Sequence, residues 1–177
     1  MTRYMTIAST LVAAWLCVAR AEEANKPMPS AEELRSSGLV QAGKEEKQLF
    51  LIFGSPGCGW CKVFDKYHAD EKVSRVLTKH LVIVKVDTAA NAGGQEMYDE
   101  YGKARGVPAF VILDKDGKTL ADSGDEGENI GFPFQPHEID RYFKALKKAC
   151  PKLSDAEAEI LKDKLMEVRP KKTTTGG

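Results

Sequence analysis

The sequence predicts an α/β domain in which a mixed central sheet is flanked by helices, with an extra helix at the C-terminal end. Short apolar runs that are typical of buried strands alternate with amphipathic stretches of helical period. The last two predicted strands are joined by a tight turn, and two more helical stretches follow them. The length of 177 residues fits one such domain with short extensions at both ends.

The composition is not that of a nucleic-acid-binding protein. The 26 lysines and arginines balance 26 aspartates and glutamates, and no basic run is interleaved with aromatic residues. A surface for nucleic acid requires such a run, so we expect no nucleic-acid partner.

The first 21 residues have the composition of a secretory signal peptide. Arg3 precedes an apolar stretch from Met5 to Val18, and the small residues Ala19 and Ala21 fit a cleavage site. The alternative, an uncleaved anchor helix, needs an apolar run of roughly 20 residues. We therefore expect cleavage after Ala21, export to the periplasm or the extracellular space, and no stable membrane span in the mature protein.

The mature chain is expected to begin with a flexible segment, residues 22–29, which carries two prolines. Ser30 and Glu33 then have the spacing of a capping box, which predicts a helix that runs toward Lys44. Gly38 lies inside this helix and weakens the prediction, because glycine lowers helix stability.

The next element is a strand, because Leu49–Phe53 is a continuous apolar run that glycine and proline stop. Cys58 and Cys61 follow at once, where this central strand gives way to a helix. After them, Asp70 is predicted to cap a helix, which a second buried strand over Leu81–Val86 follows. The next predicted element is a helix marked by Met97, Tyr98 and Tyr101. The last two strands, Ala109–Leu113 and Thr119–Ala121, are joined by a turn at Asp114–Gly117.

The C-terminal part begins with a polar loop, Gly124–Pro136, which is expected on the side of the sheet where Cys58 and Cys61 lie. Ser154 and Glu157 cap a last helix. We expect a domain over residues 30–150, a helical extension over 151–169 and a disordered tail over 170–177. An amphipathic helix between the loop and Ser154 is predicted by apolar residues at i, i+3, i+4 and i+7, which are Ile139, Tyr142, Phe143 and Leu146.

The cysteines that export would leave, Cys58, Cys61 and Cys150, are too few for a disulfide scaffold. Thiol–disulfide exchange needs one cysteine whose thiolate is stabilised and a second that resolves the mixed disulfide. Cys58 at a helix start meets the first need through the helix dipole and unpaired N–H groups. Cys61, one helical turn later, is placed to resolve the mixed disulfide. We expect neither a metal nor an organic cofactor.

Two other interpretations of the cysteine pair are an inert disulfide and half of a zinc site. A disulfide between neighbours this close closes too small a loop to stabilise the fold much. Zinc usually takes four ligands, and the expected mature chain has no second cysteine pair. The scattered histidines His68, His80 and His137 are interpreted as surface residues.

The run Gly54-Ser55-Pro56-Gly57-Cys58-Gly59-Trp60-Cys61-Lys62, with Gly106-Val107-Pro108-Ala109-Phe110 downstream, resembles the thioredoxin superfamily. The resemblance covers roughly residues 49–146 and implies a thioredoxin-like fold. It also implies that Pro108 is cis and faces Cys58, and that Val107 offers its backbone to an extended substrate segment. The pattern is closer to exported thioredoxin-like proteins with a tryptophan-containing centre than to cytosolic thioredoxin.

Departures from thioredoxin proper limit what this resemblance implies. Trp60 replaces the proline between the cysteines, and Ile52 stands where thioredoxins have a buried carboxylate. Lys85 lies near their partner lysine and is expected to reach solvent along its stem. The proton handling of thioredoxin therefore does not carry over unchanged.

Aromatic residues near the cysteines suggest a contact surface. Trp60 is predicted to be a substrate platform, with a core side chain as the alternative. Phe132 and Phe134 in the polar loop either extend this surface or pin the loop onto the sheet.

The predicted function is thiol–disulfide exchange on exported proteins, with Cys58 as nucleophile and Cys61 as resolving thiol. Trp60, Val107 and Pro108 are the predicted substrate-binding residues. The expected partners are protein thiols or disulfides and a redox partner protein, and a monomer is expected. The alternatives are a binding module without turnover and, less favoured, a metal carrier that uses the same cysteines.

Cys150 is predicted to be a buried, inert thiol. Its helix departs from the active-site side, and about 12 residues at 1.5 Å each place it roughly 18 Å away. A disulfide allows only about 4.4–6.8 Å between Cα atoms. An intermolecular disulfide is the minor alternative.

Overall fold

The computed structural model describes residues 27–101, 106–125 and 127–169. The expected signal peptide and C-terminal tail lie outside the described residues. Within them, none of the helices has both the length and the apolar character needed to cross a membrane. In chain order the elements are α1 (Ala31–Glu45), β1 (Gln48–Gly54), α2 (Gly59–Ala69), α3 (Glu71–His80), β2 (Leu81–Asp87), α4 (Gly94–Tyr101), β3 (Ala109–Leu113), β4 (Thr119–Asp122), α5 (Pro136–Ala149) and α6 (Asp155–Val168).

Side-chain caps begin three helices at the residues that the sequence predicts. Ser30 and Glu33 form a reciprocal capping box at α1, and Ser154 and Glu157 form another at α6. The Asp70 carboxylate accepts two backbone N–H groups at the start of α3. These side chains satisfy N–H groups that a first helical turn leaves unpaired, so each helix begins at a defined residue.

The strands form one mixed sheet in the order β2-β1-β3-β4. β1 is parallel to β2 and antiparallel to β3, and β4 returns antiparallel to β3. The prediction of a mixed sheet is therefore confirmed, but Leu81–Val86, predicted as a buried strand, is only partly buried. Ile83 and Val84 are half-buried and Lys85 is exposed, because β2 lies at the edge of the sheet.

Two cores lie on the two faces of the sheet, and the side chains of β1 alternate between them. Phe50 and Ile52 pack with residues of α2, α3, α5 and α6. Leu49, Leu51 and Phe53 pack with residues of α1 and α4. The helices therefore cover both faces, and the C-terminal helix α6 joins the first core.

Gly38 allows α1 to approach the sheet closely. A Cβ atom at this position would lie 2.7 Å from Cδ1 of Leu49 and 2.9 Å from Cγ2 of Val84. The glycine that weakens the helix in isolation thus permits its packing against β1 and β2.

Candidate active site

The cysteine pair lies at the start of α2. Cys58 is the N-cap of this helix, and Cys61 lies in its first turn. The two form a disulfide with 5.2 Å between their Cα atoms. The backbone N–H of Cys61 donates to Sγ of Cys58 with 3.0 Å between nitrogen and sulfur. This donor belongs to the unpaired groups of a helix start, so it can stabilise negative charge on Cys58 in the reduced protein.

The segment before β3 supplies the second part of the site. The Val107–Pro108 peptide bond is cis, as the family resemblance implied. Sγ of Cys58 lies 3.4 Å from the carbonyl oxygen of Val107. The register of β1 and β3 pairs Phe53 with Ala109, which brings this segment to the end of β1 that leads to the cysteines. The structure therefore brings together the predicted residues Cys58, Val107 and Pro108.

Trp60 lies at the surface beside the cysteines, with 45% of its area exposed. Its ring stacks on Phe132 with 5.7 Å between centroids, and Phe134 lies 5.6 Å away on a tilted plane. The alternative of a core side chain is therefore wrong for Trp60. Phe132 is buried and Phe134 is half-buried, so the loop that carries them is held against the active-site end.

Hydrogen bonds fix the same loop to the cis-proline segment. The Asn129 side chain donates to the carbonyl oxygens of Gly106 and Pro108 at 2.8 and 2.9 Å. The expected position of the loop on the active-site side is thus confirmed. A groove of about 300 Å³ runs between the loop and the segment, and its walls include Trp60 and Val107.

A separate cavity of about 290 Å³ adjoins Cys61. Ile52 lines it from β1, so that strand supplies no carboxylate there. Lys85 is exposed, as expected, and its Nζ also lies 2.5 Å from Oδ1 of Asp65. Sequence analysis missed this pair, since the two residues belong to different elements, β2 and α2. The spacing of Cys61 and Asp65, one helical turn, was the available signal.

His68 is buried, so its interpretation as a surface residue is wrong. Its ring packs among Phe50, Phe64 and Tyr67 at centroid distances of 5.8, 4.3 and 5.3 Å. Neither ring nitrogen has a hydrogen-bond partner among the described residues. Burial lowers the pKa of His68 to about 3, so the ring is neutral. Its place four residues after Phe64, on the apolar stripe of α2, could have indicated this burial.

The other two histidines differ from each other. His80 is half-buried, and its Nε2 lies 3.3 Å from Oε2 of Glu157, so it too departs from the surface interpretation. His137 is exposed, as predicted. Across the part of the chain that the structure describes, no group of three or more His, Cys, Asp or Glu side chains is placed to hold a metal ion.

Cys150 is a free thiol at the C-cap of α5. Only 4% of its area is exposed, which confirms the predicted burial. Burial raises the pKa of this thiol to about 12.

A family model described as a thioredoxin-like domain matches residues 36–125, just over half of the chain. The chain belongs to the thioredoxin-like domain family. The matched region includes both cysteines of the disulfide and the cis-proline segment. A close cysteine pair in a thioredoxin-like fold is consistent with thiol–disulfide redox chemistry.

Three solved structures are similar to this chain. A disulphide isomerase from Xylella fastidiosa Temecula1 is 21% identical with a TM-score of 0.51, and the match covers 81% of this chain and 94% of that chain. DsbH oxidoreductase is 24% identical with a TM-score of 0.47, over 68% of this chain and 87% of that chain. The C-terminal domain of DsbD from Neisseria meningitidis, in the oxidised form, is 19% identical with a TM-score of 0.43, and the match covers 55% of this chain and 84% of that chain. Among curated proteins, none matches the chain.

Proposed function

We propose that this chain catalyses thiol–disulfide exchange on exported proteins, with Cys58 as nucleophile and Cys61 as resolving thiol. One observation carries the proposal: Sγ of Cys58 accepts the N–H of Cys61 at the start of α2. In the reduced protein the same donor and the positive end of the helix dipole favour a thiolate at Cys58. A thiolate is the form of cysteine that attacks a disulfide.

The proposed cycle has two steps. The Cys58 thiolate attacks one sulfur of a substrate disulfide, and one substrate cysteine leaves as a thiolate. Cys61 then attacks Sγ of Cys58, the mixed disulfide breaks, and the second substrate cysteine leaves. The substrate gains two electrons and the chain gains the Cys58–Cys61 disulfide. The same steps in reverse oxidise a substrate dithiol, and a redox partner protein restores the starting state.

The burial of the two cysteines supports these separate roles. Cys58 is half-buried at the surface of the site, where a substrate sulfur can approach it. Cys61 is only 8% exposed, so its accessible neighbour is Cys58 rather than another protein. A resolving thiol needs this restriction, because it must attack inside the mixed disulfide.

We also propose that Trp60, Val107 and Pro108 contact the substrate. The Val107 carbonyl beside Sγ of Cys58 suits an extended segment that carries the substrate cysteine. The exposed indole of Trp60 offers a rigid apolar surface next to that segment.

The proposal for the whole chain follows the predicted domains. After removal of residues 1–21, a monomer would act in the periplasm or outside the cell, with residues 30–150 as the exchange domain. Residues 151–169 form the extension, which packs on the domain through α6. The hydroxyl of Tyr67 donates to the carbonyl of Leu161 at 3.1 Å, which supports a structural role for this extension.

Insulin reduction in the presence of dithiothreitol tests the proposed activity. We expect the wild-type chain to accelerate precipitation of the insulin B chain, Cys58→Ser to abolish the acceleration, and Cys150→Ser, the matched control, to retain it. A wild-type chain without any acceleration would favour the binding module instead. Metal bound to the reduced wild-type protein, and lost in Cys58→Ser, would favour the metal carrier.

A Cys61→Ala variant should retain substrates as mixed disulfides, which mass spectrometry can identify.

A further inference from the structure

The resolving step poses a proton problem in this fold. Before it attacks Cys58, the Cys61 thiol must lose its proton, because the thiolate is the nucleophile. Cys61 is only 8% exposed, so bulk water has little access to it. Ile52 supplies no acceptor from β1. A group that faces the cavity beside Cys61 must therefore take the proton.

The charged groups that line this cavity come from two elements. Lys62 and Asp65 belong to α2, and Lys85 and Asp87 belong to β2. A protonated lysine has no free electron pair to accept a proton, so the candidates are the two carboxylates. The two carboxylates differ in the hydrogen bonds and ion pairs that they make.

Asp87 has a structural task at the end of β2. Its Oδ1 accepts the backbone N–H groups of Ala89 and Ala90, both at 2.9 Å. These bonds shape the turn that follows the strand. An oxygen that already accepts two backbone N–H groups is engaged in the turn, so Asp87 is the less suitable proton acceptor.

Asp65 is placed differently. It lies one helical turn after Cys61, and residues four apart on a helix face have Cβ atoms about 5–6 Å apart. Its carboxylate is half exposed and lies at the cavity, where Lys85 meets it at 2.5 Å. A cavity of about 290 Å³ has room for water, which occupies about 30 Å³ per molecule in the liquid, between the carboxylate and the thiol.

We propose that Asp65 is the proton acceptor for Cys61 and that Lys85 is the positioning residue that holds the carboxylate at the cavity. This inference rests on the proposed exchange function. In the step, the proton of Cys61 passes through water to Asp65, and the Cys61 thiolate attacks Sγ of Cys58. The bond between Cys58 and the substrate sulfur breaks, and its electron pair leaves with the substrate cysteine. Asp65 then returns its proton to solvent or to the departing thiolate.

The test separates the two steps with 5,5′-dithiobis(2-nitrobenzoic acid) and stopped-flow absorbance. Attack by Cys58 releases one thionitrobenzoate, and resolution by Cys61 releases the second. Asp65→Asn should slow the second release at least about tenfold at pH 7 and leave the first within about threefold, since a positioned base contributes roughly 10²–10⁴-fold. The second rate should also become steeply dependent on hydroxide between pH 6 and 8.

Conservative and control variants sharpen this test. Asp65→Glu should restore most of the second rate, and Lys85→Met should lower it about threefold or more, because the acceptor loses its position. Asp163→Asn, which neutralises an exposed carboxylate on α6, should change neither phase. Circular dichroism and an unchanged first phase show that a variant is folded.

The outcomes that overturn the inference differ from those that overturn the function. A wild-type second phase and pH profile in Asp65→Asn would show that Asp65 is not the acceptor. A loss in Asp87→Asn instead would assign the role to Asp87. In both cases thiol–disulfide exchange would stand. A wild-type chain that releases the first thionitrobenzoate but never the second would contradict the proposed function itself.

Discussion

Cys58 and Cys150 occupy opposite ends of helices. Cys58 is the N-cap of α2, half-buried, and its Sγ accepts a backbone N–H. Cys150 is the C-cap of α5, and it is almost completely buried. The start of a helix carries partial positive charge, and the end carries partial negative charge. We therefore expect the reduced protein to favour the thiolate at Cys58 and the thiol at Cys150.

This contrast shows how position in the fold decides the role of a cysteine. Burial raises the pKa of Cys150 to about 12, and its side chain joins the apolar core on the α5 side of the sheet. There it behaves as a small apolar residue. Cys58 is half-buried and is not among the residues of that core.

The largest difference is expected in alkylation. When the reduced protein meets iodoacetamide at pH 7, Cys58 should react at least about 1,000-fold faster than Cys150. A pKa of about 12 leaves roughly one Cys150 thiolate in 10⁵ at this pH. Peptide mass spectrometry at timed quenches measures both rates. Rates within tenfold of each other would break the comparison.

The next comparison is between the two ends of α2. Cys58 lies at its start, and His68 is buried near its end, where it should make the stability of the fold depend on pH. Its pKa falls from 6.5 in the unfolded chain to about 3, so the unfolded chain alone binds the proton between these values. The free energy of unfolding of the wild type should therefore fall as pH drops through this window, and His68 should account for about 3 kcal/mol of the decrease between pH 7 and pH 4.

His68→Phe should remove this part of the pH dependence, as urea titrations at pH 7 and pH 4 can measure. His137→Gln, at the exposed histidine, is the matched control and should behave as wild type. Equal acid sensitivity in His68→Phe and wild type would show that His68 is accessible to protons in the folded protein.

A smaller difference is expected within the cysteine pair. Cys58 should be alkylated at least about tenfold faster than Cys61 near neutral pH, because a helix start stabilises its thiolate and Cys61 is buried. Timed quenches of the Cys150→Ser variant give both rates without a third thiol. Equal rates would remove the distinction between nucleophile and resolving thiol.

The smallest effect concerns Cys150 as a core residue. Cys150→Ser should lower the free energy of unfolding by about 1–2 kcal/mol, because a hydroxyl enters an apolar site. The exchange rate should stay within twofold of wild type. Urea denaturation and the insulin assay measure the two quantities, and Cys150→Ala separates the hydroxyl from lost volume. A large loss of exchange would show that Cys150 takes part in the cycle.

Local patterns predicted much of the fold and the centre of the site. The capping pairs at Ser30 and Ser154 and the apolar run of β1 depend on neighbours in the chain, and the structure confirms them. The cis bond at Pro108 required the family resemblance, because the dipeptide alone favours trans. Its position beside Cys58 is a consequence of the antiparallel pairing of β1 and β3.

The features that sequence analysis missed depend on contacts between distant segments. The partial exposure of Ile83 and Val84 follows from the edge position of β2, which strand order decides. The pairing of Lys85 with Asp65 joins β2 to α2, which are distant in the chain. His68 is the exception, since its burial could have been inferred from the apolar stripe of α2.

The central claim is that the start of α2 stabilises a thiolate at Cys58. Ultraviolet thiolate absorbance of the reduced protein, recorded against pH with Cys58→Ser as reference, tests it most directly. The account predicts that the Cys58 signal has its midpoint at least one pH unit below that of free cysteine, about 8.5. A midpoint at or above the free-cysteine value would contradict it.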